Sequence, residues 1–246
     1  ISRVRRVMTP KARYADWEVT QLIAQAMGYP MNYAHPSQIM DEIAALTPTF
    51  AGVSYARIDE LGSIQWPCND KAPEGTPIMH QKGFVRGKGL FVLTEYVPTE
   101  ERTGARFPLI LTTGRILSQY NVGAQTRRTE NVIWHEEDIL DISEHDAEQR
   151  GIRDGDRVAL MSRAGETTLT ARISDRVKPG VVYTTFHHPE SGANVVTTDY
   201  SDWATNCPEY KVTAVEVRPT NRFSLWQIEA ENLREAARRI DLPAAE

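Results

Sequence analysis

The chain reads Phe107-Pro-Leu-Ile-Leu-Thr-Thr113 and continues directly as Gly114-Arg115-Ile-Leu-Ser-Gln-Tyr-Asn-Val-Gly-Ala-Gln-Thr126. The first part is a short apolar run of the kind that forms a buried β-strand. A glycine at the exit of a strand lets backbone amides approach an anion closely, and an arginine beside it can pair with phosphate. The side chains that follow are mostly neutral hydrogen-bonding groups, which suit a heterocycle rich in amides and hydroxyls. The alternative interpretation is a polar turn that leads into a basic surface loop.

Four more strands are predicted after this one, at 157–162, 168–173, 181–185 and 211–217. Ala164-Gly165 lies between the first two as a hairpin signal, and Pro179-Gly180 marks the turn before the third. One helix interrupts the strands, with Ser143 as its N-cap and Gly151 just past its end. Short strands with glycine-rich turns and a single helix indicate a closed or nearly closed barrel.

The rest of the chain is predicted to be helical or irregular. Asp16 is expected to cap a first helix and Ser37 a second one, which stops at Thr47-Pro48. Residues 50–89 contain several prolines and glycines that interrupt regular structure, and we interpret this stretch as ordered but irregular. A last helix is predicted over 225–240, with arginines near its C-terminal end where cations suit the helix dipole.

The composition excludes several classes of protein. The chain has 246 residues, of which 41% are hydrophobic and 25% are charged, so it is not a disordered segment. Its formal net charge of −5 argues against a surface devoted to nucleic acid. Its two cysteines, Cys68 and Cys207, cannot ligate a four-cysteine iron–sulfur cluster or build a disulfide scaffold. No apolar run has membrane-spanning length, and no signal-peptide pattern opens the chain. The first residue is Ile1 and not Met, which predicts a processed or trimmed product or a piece of a longer polypeptide.

Further motifs carry candidate ligand-binding side chains. Phe186-His187-His188-Pro189 contains adjacent histidines, but no further ligand lies nearby at metal-site spacing, which argues against zinc. One ring is expected to pack in the core and the other to hydrogen-bond a ligand; the alternative is two histidines whose partners lie within the protein. Asn194 offers a donor and an acceptor to a heterocycle edge, or else lies in a turn. Lys211 can neutralise a phosphate, or else ends a strand in solvent.

These motifs occur in an order that is typical of a known family. The chain contains, in sequence, Thr112-Thr113-Gly114-Arg115, the polar run to Thr126, Gly155-Asp156-Arg157-Val158, Pro179-Gly180-Val181-Val182, Asn194-Val195-Val196-Thr197 and Pro208-Glu209-Tyr210-Lys211. From about 106 to 217 it resembles the C-terminal molybdopterin-dinucleotide-binding domain of the dimethyl-sulfoxide-reductase superfamily. Residues 54–95 resemble the segment that precedes this domain. The runs 120–126 and 185–189 are similar to those in catalytic alpha subunits of cytosolic NAD-dependent, metal-containing formate dehydrogenases.

The resemblance implies a mainly β protein with helices, of class α+β. Its centre would be a six-stranded double-psi β-barrel of the aspartate-decarboxylase-like type. Four parts are expected along the chain: the helical tail of an upstream α/β domain at 1–50, an irregular connecting segment at 51–105, the molybdopterin-dinucleotide-binding barrel at 106–220 and a C-terminal helix at 221–246.

The resemblance also implies two molybdopterin guanine dinucleotides that hold one Mo or W ion. By position in the family's motifs, a pyrophosphate would meet Thr113, Gly114 and Arg115. The pterin and its linker would be lined by Ser118, Gln119, Tyr120, Asn121 and Thr126. Contacts from the other strand ends would come from His188, Asn194, Tyr210 and Lys211. In the family the metal ligand and the catalytic residues lie in earlier domains, so no catalytic or metal-ligating residue is assigned to this chain.

The implied activity is the oxidation of formate to carbon dioxide. Electrons would pass through iron–sulfur clusters and FMN to NAD in partner diaphorase subunits, and the other partner would be the remainder of the catalytic subunit. The expected location is the cytoplasm, with no membrane and no nucleic-acid partner. Three alternatives stay open: another molybdopterin oxidoreductase such as a nitrate reductase, a non-catalytic module that stores or delivers the dinucleotide, and a metal-dependent hydrolase built around His187 and His188.

Overall fold

The computed structural model describes residues 1–7, 9 and 12–239. The chain forms two compact units, one from Ile1 to Thr94 and one that begins at Glu95. Within the described residues, no helix combines the length and the apolar character that crossing a membrane requires.

In its described residues, the first unit contains three α-helices, α1 Asp16–Ala26, α2 Pro36–Leu46 and α3 Tyr55–Leu61. Its small core consists of Val53, Ile58, Ile64 and Cys68, with Met40 and Phe50 packed against them. The predicted stop of α2 at Thr47 is confirmed. Helix α3 lies inside the stretch that was expected to be irregular. The Ser54 hydroxyl accepts a hydrogen bond from the Arg57 N–H at 3.3 Å and caps this seven-residue helix, whose Ile58 is buried in the small core.

Both predicted N-caps of the first unit are wrong by one or two residues. Helix α1 has Ala15 as its N-cap and Asp16 as its first residue. The Glu18 carboxylate reaches back and accepts a hydrogen bond from the Ala15 N–H at 2.7 Å. Helix α2 has His35 as its N-cap, because the imidazole Nδ1 accepts a hydrogen bond from the Ser37 N–H at 3.1 Å. A histidine ring thus takes the part that the sequence assigned to the serine hydroxyl.

The second unit is built on a closed six-stranded barrel, which confirms the predicted fold class. Its strands are β1 Leu109–Gly114, β2 Ile139–Ile142, β3 Arg157–Met161, β4 Glu166–Ile173, β5 Val181–Thr185 and β6 Thr213–Pro219. They are hydrogen-bonded in the order β1-β5-β2-β4-β3-β6, and β6 pairs with β1 to close the barrel. The β1/β5 and β2/β4 pairs are parallel, whereas the other four pairs are antiparallel. The barrel is accompanied, among the described residues, by two α-helices, α4 Glu144–Arg150 and α5 Leu225–Arg239.

Alternating side chains of the strands fill the barrel interior. In β1, Leu109 and Leu111 are buried, while Ile110 and Thr112 are half-buried on the other face. The remaining members of this core are Leu140, Ile142, Ala147, Ile152, Val158, Leu160, Leu169, Ala171, Val182, Val196, Val215 and Val217. A continuous apolar interior of this kind gives the loops at the barrel ends a rigid base.

Strand β2 is not among the predicted strands, and β6 begins two residues later than predicted. Strand β2 has only four residues, and the buried carboxylate of Asp141 accepts a hydrogen bond from the Arg172 Nε on β4 at 2.7 Å. A short strand with a carboxylate inside it lacks the apolar alternation that reveals strands. Strand β6 begins at Thr213 and not at Lys211, because a turn closed by the Val212 N–H precedes it.

Helix α4 is locked to the turn before β5 by one buried carboxylate. The predicted Ser143 cap and Gly151 terminus are confirmed, and Gly151 has the left-handed φ of +65°. Asp146 Oδ2 accepts hydrogen bonds from the Ser143 hydroxyl at 2.7 Å and from the Gly180 N–H at 2.8 Å. Arg150 lies 3.7 Å from the other carboxylate oxygen. One side chain thus joins the helix cap to the start of a barrel strand.

Helix α5 packs on the barrel through a glycine and a glutamine. Gly192 has a φ of +59°, and a Cβ at this position would lie 2.2 Å from the Trp226 ring. The Gln227 Oε1 accepts the Thr168 N–H at 3.0 Å, and the Gln227 Nε2 donates to the Thr168 carbonyl at 3.0 Å. The predicted C-terminal helix is confirmed, and its last predicted residue, Ile240, lies outside the described residues.

We expect Asp146→Ala to lower the free energy of unfolding by about 2–4 kcal/mol, because it leaves the Gly180 N–H without a buried acceptor and removes the cap contact. Glu144→Ala, in the same helical turn but exposed, is the matched control and should cost less than about 1 kcal/mol. Urea unfolding of both variants measures the difference. Equal stabilities would contradict the assigned role of Asp146.

Candidate functional site

The candidate site lies at the end of the barrel where β1 and β5 finish together. The two strands are parallel, and Gly114 at the end of β1 is opposite Thr185 at the end of β5. The carboxyl ends of parallel neighbours meet at one edge of a sheet. The loop 115–126 and the His187-His188 pair therefore leave the barrel side by side.

His187 holds the loop in place from inside the protein. Its fully buried ring accepts a hydrogen bond from the Ile116 N–H at Nε2, at 3.1 Å. Its Nδ1 lies 2.5 Å from the Asn121 carbonyl oxygen and donates to it. Because one nitrogen accepts and the other donates, the geometry fixes the tautomer and leaves neither nitrogen for a metal. Among the residues that the structure describes, no group of three or more His, Cys, Asp or Glu could hold a metal ion.

Gly123 allows the loop to pack closely against His187. Its φ is +69°, and a Cβ at this position would lie 2.8 Å from the His187 carbonyl oxygen and 2.7 Å from the Arg127 side chain. Asn121 also has a positive φ, of 48°, a conformation that asparagine tolerates better than most residues. Two left-handed residues thus bend the loop back onto the barrel end.

The neutral side chains of the loop form a small internal network. Thr126 Oγ1 donates to Gln119 Oε1 at 2.6 Å and accepts from the Tyr120 N–H at 3.1 Å. Ser118 Oγ lies 2.9 Å from His135 Nδ1. Gln119 is buried, yet its amide nitrogen has no hydrogen-bond partner among the residues that the structure describes. The Tyr120 side chain is 66% exposed. The network therefore orients these groups and leaves donors unused.

Asp138, which sequence analysis did not single out, organises the segment after β5. Its carboxylate is 1% exposed. One oxygen accepts hydrogen bonds from the Thr185 hydroxyl and from the His187 N–H at 3.0 Å. The other accepts from the His188 N–H at 2.9 Å and from the Ser191 hydroxyl at 2.5 Å. A single buried anion therefore fixes four successive points of the segment 185–191.

The hydrogen bonds outweigh the burial of this carboxyl. Burial raises the pKa of Asp138, but hydrogen bonds donated by the side chains of His188, Ser191 and Thr185 and by the His188 backbone lower it by more, and the pKa lies at about 2. Asp138 is therefore an anion at neutral pH. The sequence signal was weak, because this aspartate follows Glu136-Glu137 and precedes the strand that the analysis missed.

His188 keeps one ring nitrogen without a partner. Its Nδ1 lies 3.2 Å from an Asp138 oxygen and carries the hydrogen toward that anion. Its Nε2 is buried and makes no hydrogen bond within the part of the chain that the structure describes. The ring lines a cavity of about 380 Å³ whose other walls include Arg127, Glu137, Gln227 and Phe223. This nitrogen is free to meet a ligand.

Arg115 leaves the end of β1 without a carboxylate partner. Its guanidinium carbon lies 5.2 Å from the centroid of the Phe186 ring, and among the described residues it makes no ion pair. The Tyr183 hydroxyl donates to the Arg115 carbonyl at 3.1 Å. A Cβ at Gly114 would lie 2.7 Å from the Tyr183 ring, so the glycine lets the strand exit pass close to that ring. Arg127, the second arginine of this region, is already paired with Glu190 at 3.6 Å.

The structure brings most, but not all, of the predicted site residues together. Thr113 Oγ1 donates to the Tyr210 carbonyl at 3.2 Å, which joins the segment before β6 to the exit of β1. Asn194 lies exposed in the 3₁₀ turn Ala193–Val195, and Lys211 is exposed before β6. Within the described part of the chain, no side-chain hydrogen bond or ion pair ties either of these two to the loop.

A family model described as "Molydopterin dinucleotide binding domain" matches residues 109–214. The match covers β1 to β5 and the first residues of β6. The barrel is therefore similar to molybdopterin dinucleotide-binding domains, which agrees with the predicted resemblance.

Curated relatives extend the similarity beyond the barrel. The chain is 35% identical over 223 residues to the F420-dependent formate dehydrogenase 2 subunit alpha of Methanococcus maripaludis, which covers 88% of this chain and 33% of the relative. The F420-dependent formate dehydrogenase subunit alpha of Methanocaldococcus jannaschii is also 35% identical, with the same coverage. The chain thus spans about one third of the length of these relatives.

Among solved structures, acetylene hydratase from Pelobacter acetylenicus has the same fold. The TM-score is 0.56 at 11% sequence identity, and the match covers 88% of this chain and 34% of that structure. At this level of identity the similarity concerns the fold alone.

We expect Asp138→Asn to lower the free energy of unfolding by about 3 kcal/mol at neutral pH, because an amide cannot accept hydrogen bonds on both sides. In the wild type, the folded pKa of about 2 lies below the ordinary 3.8. About 2 kcal/mol of stability is therefore present above pH 4 and is lost as the pH falls toward 2.

Denaturant unfolding between pH 2 and pH 7 measures both effects, with exposed Asp175→Asn as the matched control. The Asp138 variant should lack this part of the acid dependence, while the control should follow the wild type. If both variants showed the wild-type pH profile, the assigned role of Asp138 would be wrong.

Proposed function

We propose that this chain is the cofactor-binding portion of the catalytic subunit of a formate dehydrogenase, where it binds molybdopterin guanine dinucleotide that carries Mo or W. The observation that carries the proposal is the family match to residues 109–214, which coincides with the barrel whose end presents the unused donors and the unpaired Arg115. The similarity to formate dehydrogenase alpha subunits supports the substrate.

The residues present fit such a cofactor. A pyrophosphate needs cations and backbone amides, which Arg115 and the glycine exit of β1 supply. A pterin edge needs fixed neutral donors and acceptors, and the buried Gln119 amide nitrogen and His188 Nε2 are without partners in the described structure. A buried polar atom without a partner is costly unless a ligand or water satisfies it. The site therefore has the donor set that an anionic, heterocyclic cofactor requires.

Each predicted contact residue keeps its role within this proposal. Thr113, Gly114 and Arg115 hold the pyrophosphate. The pterin and its linker are bound by Ser118, Gln119, Tyr120, Asn121 and Thr126. The Asn121 carbonyl is already engaged by His187, so only its side chain is available to the ligand. The remaining contacts come from His188, Asn194, Tyr210 and Lys211.

The metal on the pterin, when bound, supplies the site that accepts the two electrons of formate. The residues of this chain bind and orient the cofactor, and none of them acts on formate. His187 fixes the loop 115–126, and Asp138 fixes the segment 185–191, through buried hydrogen bonds. The assignment of 1–50 to the end of an upstream α/β domain, of 51–105 to a connecting segment and of 221–246 to a terminal helix stays part of the proposal.

The electron acceptor distinguishes two forms of the enzyme. The resemblance of the runs 120–126 and 185–189 favours NAD, reached through iron–sulfur clusters and FMN in diaphorase subunits of a cytoplasmic complex. The two named relatives are F420-dependent. The comparisons therefore lend NAD no support, and the acceptor is to be assigned by direct assay.

We expect the native complex that contains this chain to hold Mo or W together with the pterin, and to oxidise formate. Elemental analysis, fluorescence of the oxidised pterin, and formate-dependent reduction of NAD⁺, F420 and an artificial dye are the measurements. Absence of both metals would contradict the cofactor assignment. Reduction of nitrate without formate oxidation would favour a nitrate-reductase-like enzyme, and bound pterin without either activity would favour a storage or delivery module.

Arg115→Ala should reduce retention of the cofactor about 10- to 100-fold, since a charge-assisted pair contributes about 1.5–3 kcal/mol. The barrel should stay folded, because the Arg115 side chain is exposed. Arg153→Ala, an equally exposed arginine in the turn between α4 and β3, is the matched control. Metal and pterin per protein after gel filtration give the readout. Unchanged retention in the Arg115 variant would remove this residue from the site.

A further inference from the structure

A short apolar segment at 90–97 is almost completely exposed. The exposed fractions are Leu90 87%, Phe91 99%, Val92 71%, Leu93 99%, Tyr96 87% and Val97 73%. Six large apolar side chains in eight residues form a larger continuous patch than the scattered apolar residues of ordinary surfaces. A patch of this kind marks an interaction site.

The backbone of this segment is also without partners. It is neither helix nor strand, and residues 88–98 make no backbone hydrogen bond to any residue that the structure describes. Phe91, Val92, Thr94, Tyr96 and Val97 are residue types that favour strands, with glycines before them and Pro98 after them. An extended segment with free backbone groups is a template for pairing with the edge of a sheet.

Both faces of such a strand would be mostly apolar. In extended chain, one side carries Leu90, Val92 and Tyr96 together with Thr94, and the other carries Phe91, Leu93 and Val97 together with Glu95, so each face has three apolar residues and one polar residue. Two apolar faces are typical of strands covered on both sides, as in the parallel sheets of α/β domains. A strand with one solvent-exposed face would instead alternate apolar and polar residues along the sequence.

We propose that segment 90–97 adds as an edge strand to a sheet in the part of the same polypeptide that lies outside these 246 residues. The inference rests on the proposed function, in which the chain is one portion of a longer catalytic subunit. The relatives are about three times as long, so the complete subunit has ample chain to supply such a sheet. A second copy of this chain fits less well, because a pair of identical strands would leave both apolar faces exposed to water.

Hydrogen exchange of the full-length native protein tests the proposal directly. Amides in a peptide that covers 89–98 should exchange at least about 100-fold more slowly than in the unfolded chain, since strand pairing protects them. Exchange within about tenfold of the unfolded rate would overturn the proposal. Protection that disappears on dilution to the monomer would assign the segment to a second copy and overturn it as well.

A pair of variants gives an independent readout. Phe91→Asp in the full-length protein should abolish the slow exchange of this peptide, whereas Val85→Asp, equally exposed but outside the segment, should leave it unchanged. If Phe91→Asp kept the wild-type exchange, the proposal would be wrong. Metal and pterin content of the same wild-type sample separates the two ideas: a loaded protein with fast exchange contradicts only the strand, and slow exchange without metal or pterin contradicts only the proposed function.

Discussion

The end of the barrel depends on one buried anion. Asp138 lies just before β2, yet its two oxygens accept hydrogen bonds from the last residue of β5 and from the segment that follows it. A carboxylate in the interior is costly when its lone pairs are unused, and here several donors surround it. The same contacts keep its pKa low and the charge permanent at neutral pH. The position of both histidines follows from this arrangement.

The parallel pairing of β1 and β5 brings the two fixed segments together at one end of the barrel. Because β1 and β5 run in the same direction, the loop after β1 and the histidines after β5 emerge at one end of the barrel. His187 then bonds the loop at two points, Ile116 and Asn121, and Gly123 gives the close approach that this contact needs. The side chains proposed to bind cofactor are thus supported by residues that do not touch it.

The groups left without partners point to function more clearly than the satisfied ones. Buried polar atoms in a folded protein nearly always have a hydrogen bond. Among the described residues, nine buried side-chain nitrogen and oxygen atoms are without a partner, and they include Gln119 Nε2, Arg127 Nε and His188 Nε2 of this region. The segment 90–97 supports a similar argument, because its apolar side chains are exposed and its backbone makes no hydrogen bond to a described residue. In both places the described residues leave groups without a partner: polar nitrogens at the barrel end, and apolar side chains and backbone amides in 90–97.

The sequence by itself determined the barrel class, five of its six strands, the Ser143 cap and the glycine-arginine exit of β1, because strand patterns, turns and caps are local signals. It missed β2, whose four residues surround a charge, and it missed Asp138, whose partners lie 47 to 53 positions away. Only the tertiary structure decided that His187 is a support and His188 the free ring. His187 and His188 are the same residue type at adjacent positions. They differ because the fold places different distant atoms beside their ring nitrogens.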